Sequence, residues 1–224
     1  KQILMIAGYD RYFQLVRCFR DEDLRADRQP EFTQVDVEMA FPQREVLFAI
    51  IEGLMEKLFA LVDVKVTPPF PRLSYELAME RYGSDKPHLG FGLEWSKINL
   101  PDSAAETLHL APPIKALRVP GWASASRSQL DKLQDLARTN LADWFGYLKV
   151  TDSEVQSPLG KVVGEDGVQS LAKAAGARPG ELVLLLGLKS NNAALEARRH
   201  LDEVSGELRL EIARRLELIK PGTW

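Results

Sequence analysis

Cysteine occurs once in 224 residues, at Cys18. A single thiol closes no disulfide within the chain and builds no zinc site from several thiolates. Its place inside an alternating run predicts a buried structural thiol rather than a nucleophile. Histidine is also scarce. His88, His109 and His200 lie far apart, without metal-ligand spacing, and read as solvated or capping residues. No apolar run approaches a membrane span, and no signal-peptide pattern is present. There is no excess of positive charge: the net charge is -3, so no global field draws in nucleic acid and any RNA contact must come from a local patch. Low-complexity tracts and internal repeats are missing as well. These absences fit a protein of the reducing cytosol with one large core or two small ones.

Charge concentrates instead in residues 19–38, with three arginines and seven carboxylates. Alternating segments flank this run. Over Tyr12 to Arg20, Phe13, Leu15, Arg17 and Phe19 face one way, while Tyr12, Gln14, Val16, Cys18 and Arg20 face the other. Over Phe32 to Phe41, Thr33, Val35, Val37, Met39 and Phe41 form an apolar face opposite Phe32, Gln34, Asp36, Glu38 and Ala40. The pair predicts an antiparallel hairpin whose long polar loop exceeds what a tight turn needs.

The rest of the chain reads as mixed α+β. Lys1 to Tyr9 has the pattern of a helix ending near Gly8, which suggests a fragment or a processed product. After Pro42, Val46, Leu47, Ile50, Ile51, Leu54, Met55, Leu58 and Phe59 fall at helical spacing, and the stripe is expected to pack on the sheet. Pro68, Pro69 and Pro71 break the chain. Ser74 caps a short helix closed by Gly83. Residues 84–112 are weakly patterned, and a domain boundary is placed near residue 90. Beyond it, strands are expected at Lys115–Val119, Phe145–Val150 and Glu181–Leu188. Helices are expected from Arg127 (with Leu130, Leu133, Ala137 and Leu141 on one face), from Gly167 to Gly176, and from Asn192 to Leu218 with a bend near Gly206. In the last helix Arg198, Arg199, Arg214 and Arg215 are interleaved with enough glutamates to predict a salt-bridged surface rather than an RNA site.

The hairpin holds the candidate chemistry. Arg20 offers a planar, permanently charged fork for two phosphate oxygens. Glu22 could accept from an exocyclic amine, Phe32 offers a flat surface to a base, and Asp36 could pair with Lys1 or with a substrate ammonium. The opposing reading is a set of surface ion pairs worth ~0–1 kcal/mol each. Spacing alone leaves both standing.

Longer strings go further. Phe19-Arg20-Asp21-Glu22 with Phe32 opening the return strand resembles motif 2 of class II aminoacyl-tRNA synthetases. The extended run Gly8-Tyr9-Asp10-Arg11-Tyr12 and then Cys18 through Gln34 resembles the bacterial-type aspartyl-tRNA synthetases. Tyr82-Gly83-Ser84-Asp85-Lys86-Pro87 resembles a second signature of that family. His88-Leu89-Gly90 departs from it, where the family has Asp-Leu-Arg. Arg118-Val119-Pro120-Gly121, Ser157-Pro158 and Gly206-Glu207-Leu208-Arg209 resemble anchors of an inserted domain shared with a tRNA-dependent amidotransferase.

The resemblance implies part of a class II catalytic domain at 1–90, with the motif 2 hairpin and following helices of its antiparallel sheet. It implies a compact inserted α+β (GAD-type) domain at 91–224. The implied activity joins L-aspartate to tRNA through aspartyl-adenylate, with ATP as substrate. Arg20 would be catalytic. Arg20, Asp21, Glu22, Gln29 and Phe32 would bind ATP; Lys1, Arg20 and Asp36 would bind aspartate; Arg25 and Arg28 would reach the acceptor end of the tRNA. The family's Mg²⁺ ligands lie in motif 3, outside this sequence, so no metal ligand is assigned and the chain by itself is expected to be inactive. A cytoplasmic homodimer is implied for the whole protein, acting on aspartate tRNA with asparagine tRNA as a further candidate. A rival reading makes the inserted domain a non-catalytic module that binds tRNA or protein. A synthetase for asparagine or lysine is a third, against which the inserted domain argues.

Overall fold

The computed structural model describes residues 1–23, 28–100, 102–140, 142–192 and 194–220. Two compact units divide between Arg72 and Leu73. The first contains helix α1 (Gln2–Ile6), strands β1 (Arg11–Phe19) and β2 (Glu31–Met39), and helix α2 (Arg44–Ala60). The strands pair antiparallel with Gln14 opposite Asp36 and Cys18 opposite Phe32, so the expected hairpin and both its faces are present. The register follows from the two alternating runs, since a slip of one residue would exchange the faces.

The two faces are not covered as a soluble hairpin normally is. Residues of the polar face, including Gln14, Cys18, Phe32, Gln34 and Asp36, are half-buried. On the apolar face Phe13, Leu15 and Phe19 are 70%, 71% and 71% exposed. Antiparallel sheets usually turn their apolar side inward. The stripe on α2 does not close over it. Val46, Leu47, Ile51 and Leu58 stay exposed. An open cleft of about 900 Å³ lies between Phe13, Leu15, Val35 and Val37 on the strands and Ile50, Leu54 and Leu58 on the helix. The expected packing of helix on sheet is therefore corrected to an open apolar cleft: two strands and one helix are too narrow to enclose that much apolar surface. What α2 does bury is Glu52, which accepts from the Phe70 amide at 3.1 Å and pairs with Arg72 at 2.7 Å. Cys18 is also corrected from buried to half-buried, its thiol 3.4 Å from the Gln34 side-chain oxygen.

The second unit begins with α3 (Tyr75–Tyr82) and then runs β3 (Trp95–Ile98), α4 (Asp102–Leu108), β4 (Leu110–Val119), α5 (Arg127–Thr139), β5 (Trp144–Val150), β6 (Val155–Gln156), α6 (Gly160–Ala174), β7 (Leu182–Lys189) and α7 (Leu195–Arg215). The strands form one antiparallel sheet in the order β3-β4-β7-β5-β6. Strand β7, the run Leu-Val-Leu-Leu-Leu-Gly-Leu, is buried on both faces. Leu182, Leu184, Leu186 and Leu188 pack with Leu130 and Leu133 of α5 and with Val204, Leu208 and Ile212 of α7. Val183 and Leu185 point the other way, to Val168 and Leu171 of α6. Each buried leucine contributes about 1.5–3 kcal/mol, which makes the continuous apolar run the centre of the unit. The α+β class expected from the sequence is observed.

Local signals explain the helix ends. Ser74 accepts from the Leu77 amide and Gly83 closes α3 in the left-handed region at φ 69°. Ser126 and Gln129 form a reciprocal capping box at the start of α5. Helix α7 runs unbroken from Leu195 to Arg215, with Gly206 inside it. The glycine serves close approach instead. A Cβ on Gly83 would strike the Asp202 carbonyl and the Gly206 amide, and one on Gly206 would strike the Gly83 carbonyl.

Buried cations bind the 73–93 segment to the rest of the second unit. Lys115, only 3% exposed, donates to Asp202 (2.6 Å), Ser205 (2.9 Å) and the Met79 carbonyl (3.2 Å). Burial pushes its ammonium below the usual lysine range, against the pull of Asp202. Arg209 sits between Tyr82 and Phe91, 4.8 and 4.1 Å from their ring centroids, and donates to the carbonyls of Leu93 and His88. Residues 73–90, grouped with the first half by resemblance, thus pack with the second. On the outer face of α7, Arg214 and Arg215 both reach Glu211, at 3.7 and 2.8 Å, in line with a salt-bridged surface.

Candidate active site

Backbone pairing sets the first cluster. The Arg20 amide donates to the Pro30 carbonyl at 2.8 Å, one step beyond the Phe19–Glu31 pair, and holds the two ends of the loop together. The Arg20 side chain then lies on the polar face. Its guanidinium carbon is 5.2 Å from the centroid of Phe32 and its Nη1 is 3.8 Å from Glu22. Arg28 approaches the other oxygen of Glu22 at 3.5 Å. Two guanidinium groups and one carboxylate leave this cluster with a positive excess beside an aromatic face. Such a set suits an anion carrying a flat ring system. Arg20 remains 55% exposed, so its fork is open to a ligand. Asp21 and Gln29 lie exposed on either side of the loop. Arg25 lies outside the described residues.

A second cluster occupies the other end of the same face. Lys1 Nζ donates to Asp36 Oδ1 at 2.9 Å and lies 3.5 Å from Glu38. The other oxygen of Asp36 accepts from Gln14 Nε2 at 3.1 Å, and the oxygen of that amide accepts from the Tyr12 hydroxyl at 2.8 Å. The Lys1 ammonium, and after it the Gln14 amide, hold the Asp36 carboxyl below the usual carboxylate range. The Asp36 carboxylate in turn raises the Lys1 pKa above its ordinary value. Phe32 and Asp36 are four positions apart on β2, roughly 13 Å at strand rise. An occupant of both clusters would have to span about that length, with an anionic, ring-bearing end and a carboxylate-bearing end.

Of the residues singled out in the sequence, the structure brings Arg20, Glu22, Arg28 and Phe32 together in one cluster and Lys1 and Asp36 in the other. Gln14 and Tyr12 carry no charge and were given no role by sequence reasoning. Their only signal is shared parity with Gln34 and Asp36 across the hairpin. Among the described residues no group of three or more His, Cys, Asp or Glu side chains could hold a metal ion. None of the helices among them is long and apolar enough to cross a membrane.

Comparison with known proteins shows the family. Residues 1–196 match the family model of tRNA synthetases class II (D, K and N). The aspartate–tRNA ligase of Clostridium novyi (strain NT) is 39% identical over 229 residues, which cover 98% of this chain and 37% of that protein. The aspartate–tRNA ligase of Ruminiclostridium cellulolyticum is 39% identical, with 99% and 37% covered. The aspartate–tRNA(Asp/Asn) ligase of Thermodesulfovibrio yellowstonii is 42% identical, again with 99% and 37% covered. This chain thus spans 37% of the length of these relatives. A match over residues 1–196 of 224 places it in a family: the chain belongs to the class II tRNA synthetases of the D, K and N group.

Proposed function

We propose that this chain carries part of the active site of an aspartate–tRNA ligase, with residues 1–90 in the catalytic domain and residues 91–224 as an inserted domain. The observation that carries the reading is the pairing of two clusters on one face of one hairpin: Arg20 with Glu22 and Phe32 at one end, Lys1 with Asp36 at the other. ATP and L-aspartate joined as an adenylate have the anionic, ring-bearing end and the carboxylate-bearing end this face requires.

In the first step an oxygen of the aspartate α-carboxylate attacks the α-phosphorus of ATP. The bond to the bridging oxygen of the β-phosphate breaks, and pyrophosphate leaves with the electron pair. Arg20 bridges the attacking carboxylate and the α-phosphate and stabilises the charge that builds on the pentacoordinate phosphorus. Phe32 stacks on adenine and Glu22 accepts from its amine, while Asp21 and Gln29 contact ATP from the loop. Lys1 holds the side-chain carboxylate of aspartate and Asp36 orients Lys1. In the second step a hydroxyl of the terminal tRNA ribose attacks the aspartyl carbonyl, loses its proton, and AMP departs. Arg25 and Arg28 contact the acceptor end. Positioning and electrostatics do the work; the chain contributes no covalent intermediate.

A cytoplasmic homodimer belongs to the same reading. Relatives named for aspartate alone and for both aspartate and asparagine tRNAs are about equally similar, so aspartate is the amino acid in either case. Aminoacylation by the complete protein with each purified tRNA determines the range. The reading itself is tested by Arg20→Ala in the complete protein. Loss of one preorganised charge on the transition state is expected to lower aspartate-dependent ATP–pyrophosphate exchange by about 10²–10³-fold. Exchange at the parent rate would end the proposal.

A further inference from the structure

The hydrogen bonds behind Asp36 run in one direction. The Tyr12 hydroxyl donates to Gln14 Oε1, which fixes the way round of the amide; Gln14 Nε2 then has to face Asp36, and donates to its Oδ2. Lys1 donates to Oδ1. Both oxygens of Asp36 are thus engaged from opposite sides, and the carboxylate plane cannot turn without breaking one of two bonds. Gln14 and Asp36 face each other directly across the strand pair, so the contact is set by register rather than by a flexible loop. Both side chains are half-buried. Lys1 donates to Asp36, lies 3.5 Å from Glu38 and keeps 42% of its side chain exposed, so its ammonium is open to an incoming carboxylate.

We infer that Gln14 is a positioning residue for the amino-acid subsite: with Tyr12 behind it, it locks Asp36, and through Asp36 it aims the Lys1 ammonium at the side-chain carboxylate of the substrate. The inference rests on the function proposed above and adds two residues to it. The position requires an amide. A glutamate of the same length can accept from Tyr12 but has no hydrogen to give Asp36, and a leucine can do neither. Selectivity follows from the same arrangement. A fixed ammonium rewards a carboxylate over a carboxamide, while a loosened one discriminates less between aspartate and asparagine.

The test is made in the complete protein, by pyrophosphate exchange with aspartate and ATP varied in turn. Gln14→Leu is expected to raise the KM for aspartate roughly tenfold, the usual scale for a group that orients a binding residue, and to leave the KM for ATP unchanged. Gln14→Glu, which keeps the volume and guards against a folding defect, is expected to do the same. Tyr12→Phe gives a smaller rise in the same constant. In an Asp36→Ala background Gln14→Leu should add nothing, because it acts only through that carboxylate. An unchanged KM for aspartate in both Gln14 variants, an equal rise in both KM values, or full multiplication of the two effects in the double variant overturns the inference. Lys1→Ala separates the two levels. If it leaves the KM for aspartate unchanged, the proposed function fails; if it raises that constant and the Gln14 variants do not, only the role of Gln14 fails.

Discussion

A single ion pair carries a pH prediction. Asp36 has a folded pKa below its usual value, so its contribution is present above the unfolded carboxylate value and is lost only as pH falls through the depressed one. Lys1 has a folded pKa above its usual value, so its contribution is complete below the unfolded lysine value and is lost as pH rises through the raised one. The two windows overlap across the whole neutral range. The KM for aspartate of the complete protein should therefore show no inflection from this pair between about pH 5 and about pH 9. An inflection that vanishes in Asp36→Asn would contradict it. At this scale charge and parity mark Arg20, Glu22, Lys1 and Asp36 as candidates, and the resemblance alone gives them roles. Gln14 and Tyr12 are not, since a neutral amide on a polar strand face looks like any other solvated residue until its partners are known.

Elements were legible wherever one strong pattern ran long enough. The alternation of β1 and β2, the apolar run of β7, the capping serine of α3 and the apolar face of α5 each pointed to the observed element. Short or interrupted elements were missed. Strand β3 has four residues and α4 has seven, too few for a period to emerge. Strand β4 starts at Leu110, earlier than expected, because Pro112 and Pro113 interrupt its pattern where the register with β7 shifts. The regular part of α6 follows Gly164, whose φ of 73° breaks the helix near the expected start. Gly206 lets the turn after α3 touch α7, a close approach that the sequence pattern does not announce. Gly83→Ala is expected to cost about 3 kcal/mol or more, since the new Cβ meets backbone atoms of α7 in a left-handed conformation. Gly121→Ala, with a similar φ of 71° but open space around it, should cost only about 1 kcal/mol. Chemical denaturation of the two variants compares them directly.

For the whole molecule, the two units differ in how well each can stand alone. The second has a core on both faces of its sheet, whereas the first exposes Phe13, Leu15, Phe19 and Val35 and an open cleft. Residues 73–224 expressed alone should unfold in one cooperative transition. Residues 1–72 alone should bind a hydrophobic dye and lack such a transition, because an isolated two-stranded hairpin is marginal in water. A cooperative melt from residues 1–72 would refute this. The open face was not legible in the sequence: a helix stripe announces that it will be covered, but not by what.

The five-stranded sheet has a further consequence for how the protein is made. Its middle strand, β7, is the last to emerge from the ribosome, after both strands that flank it. Until Leu182 to Lys189 has been synthesised, the β3–β4 and β5–β6 pairs have nothing to join them, and nascent chains stalled before that point should remain sensitive to protease along their whole length.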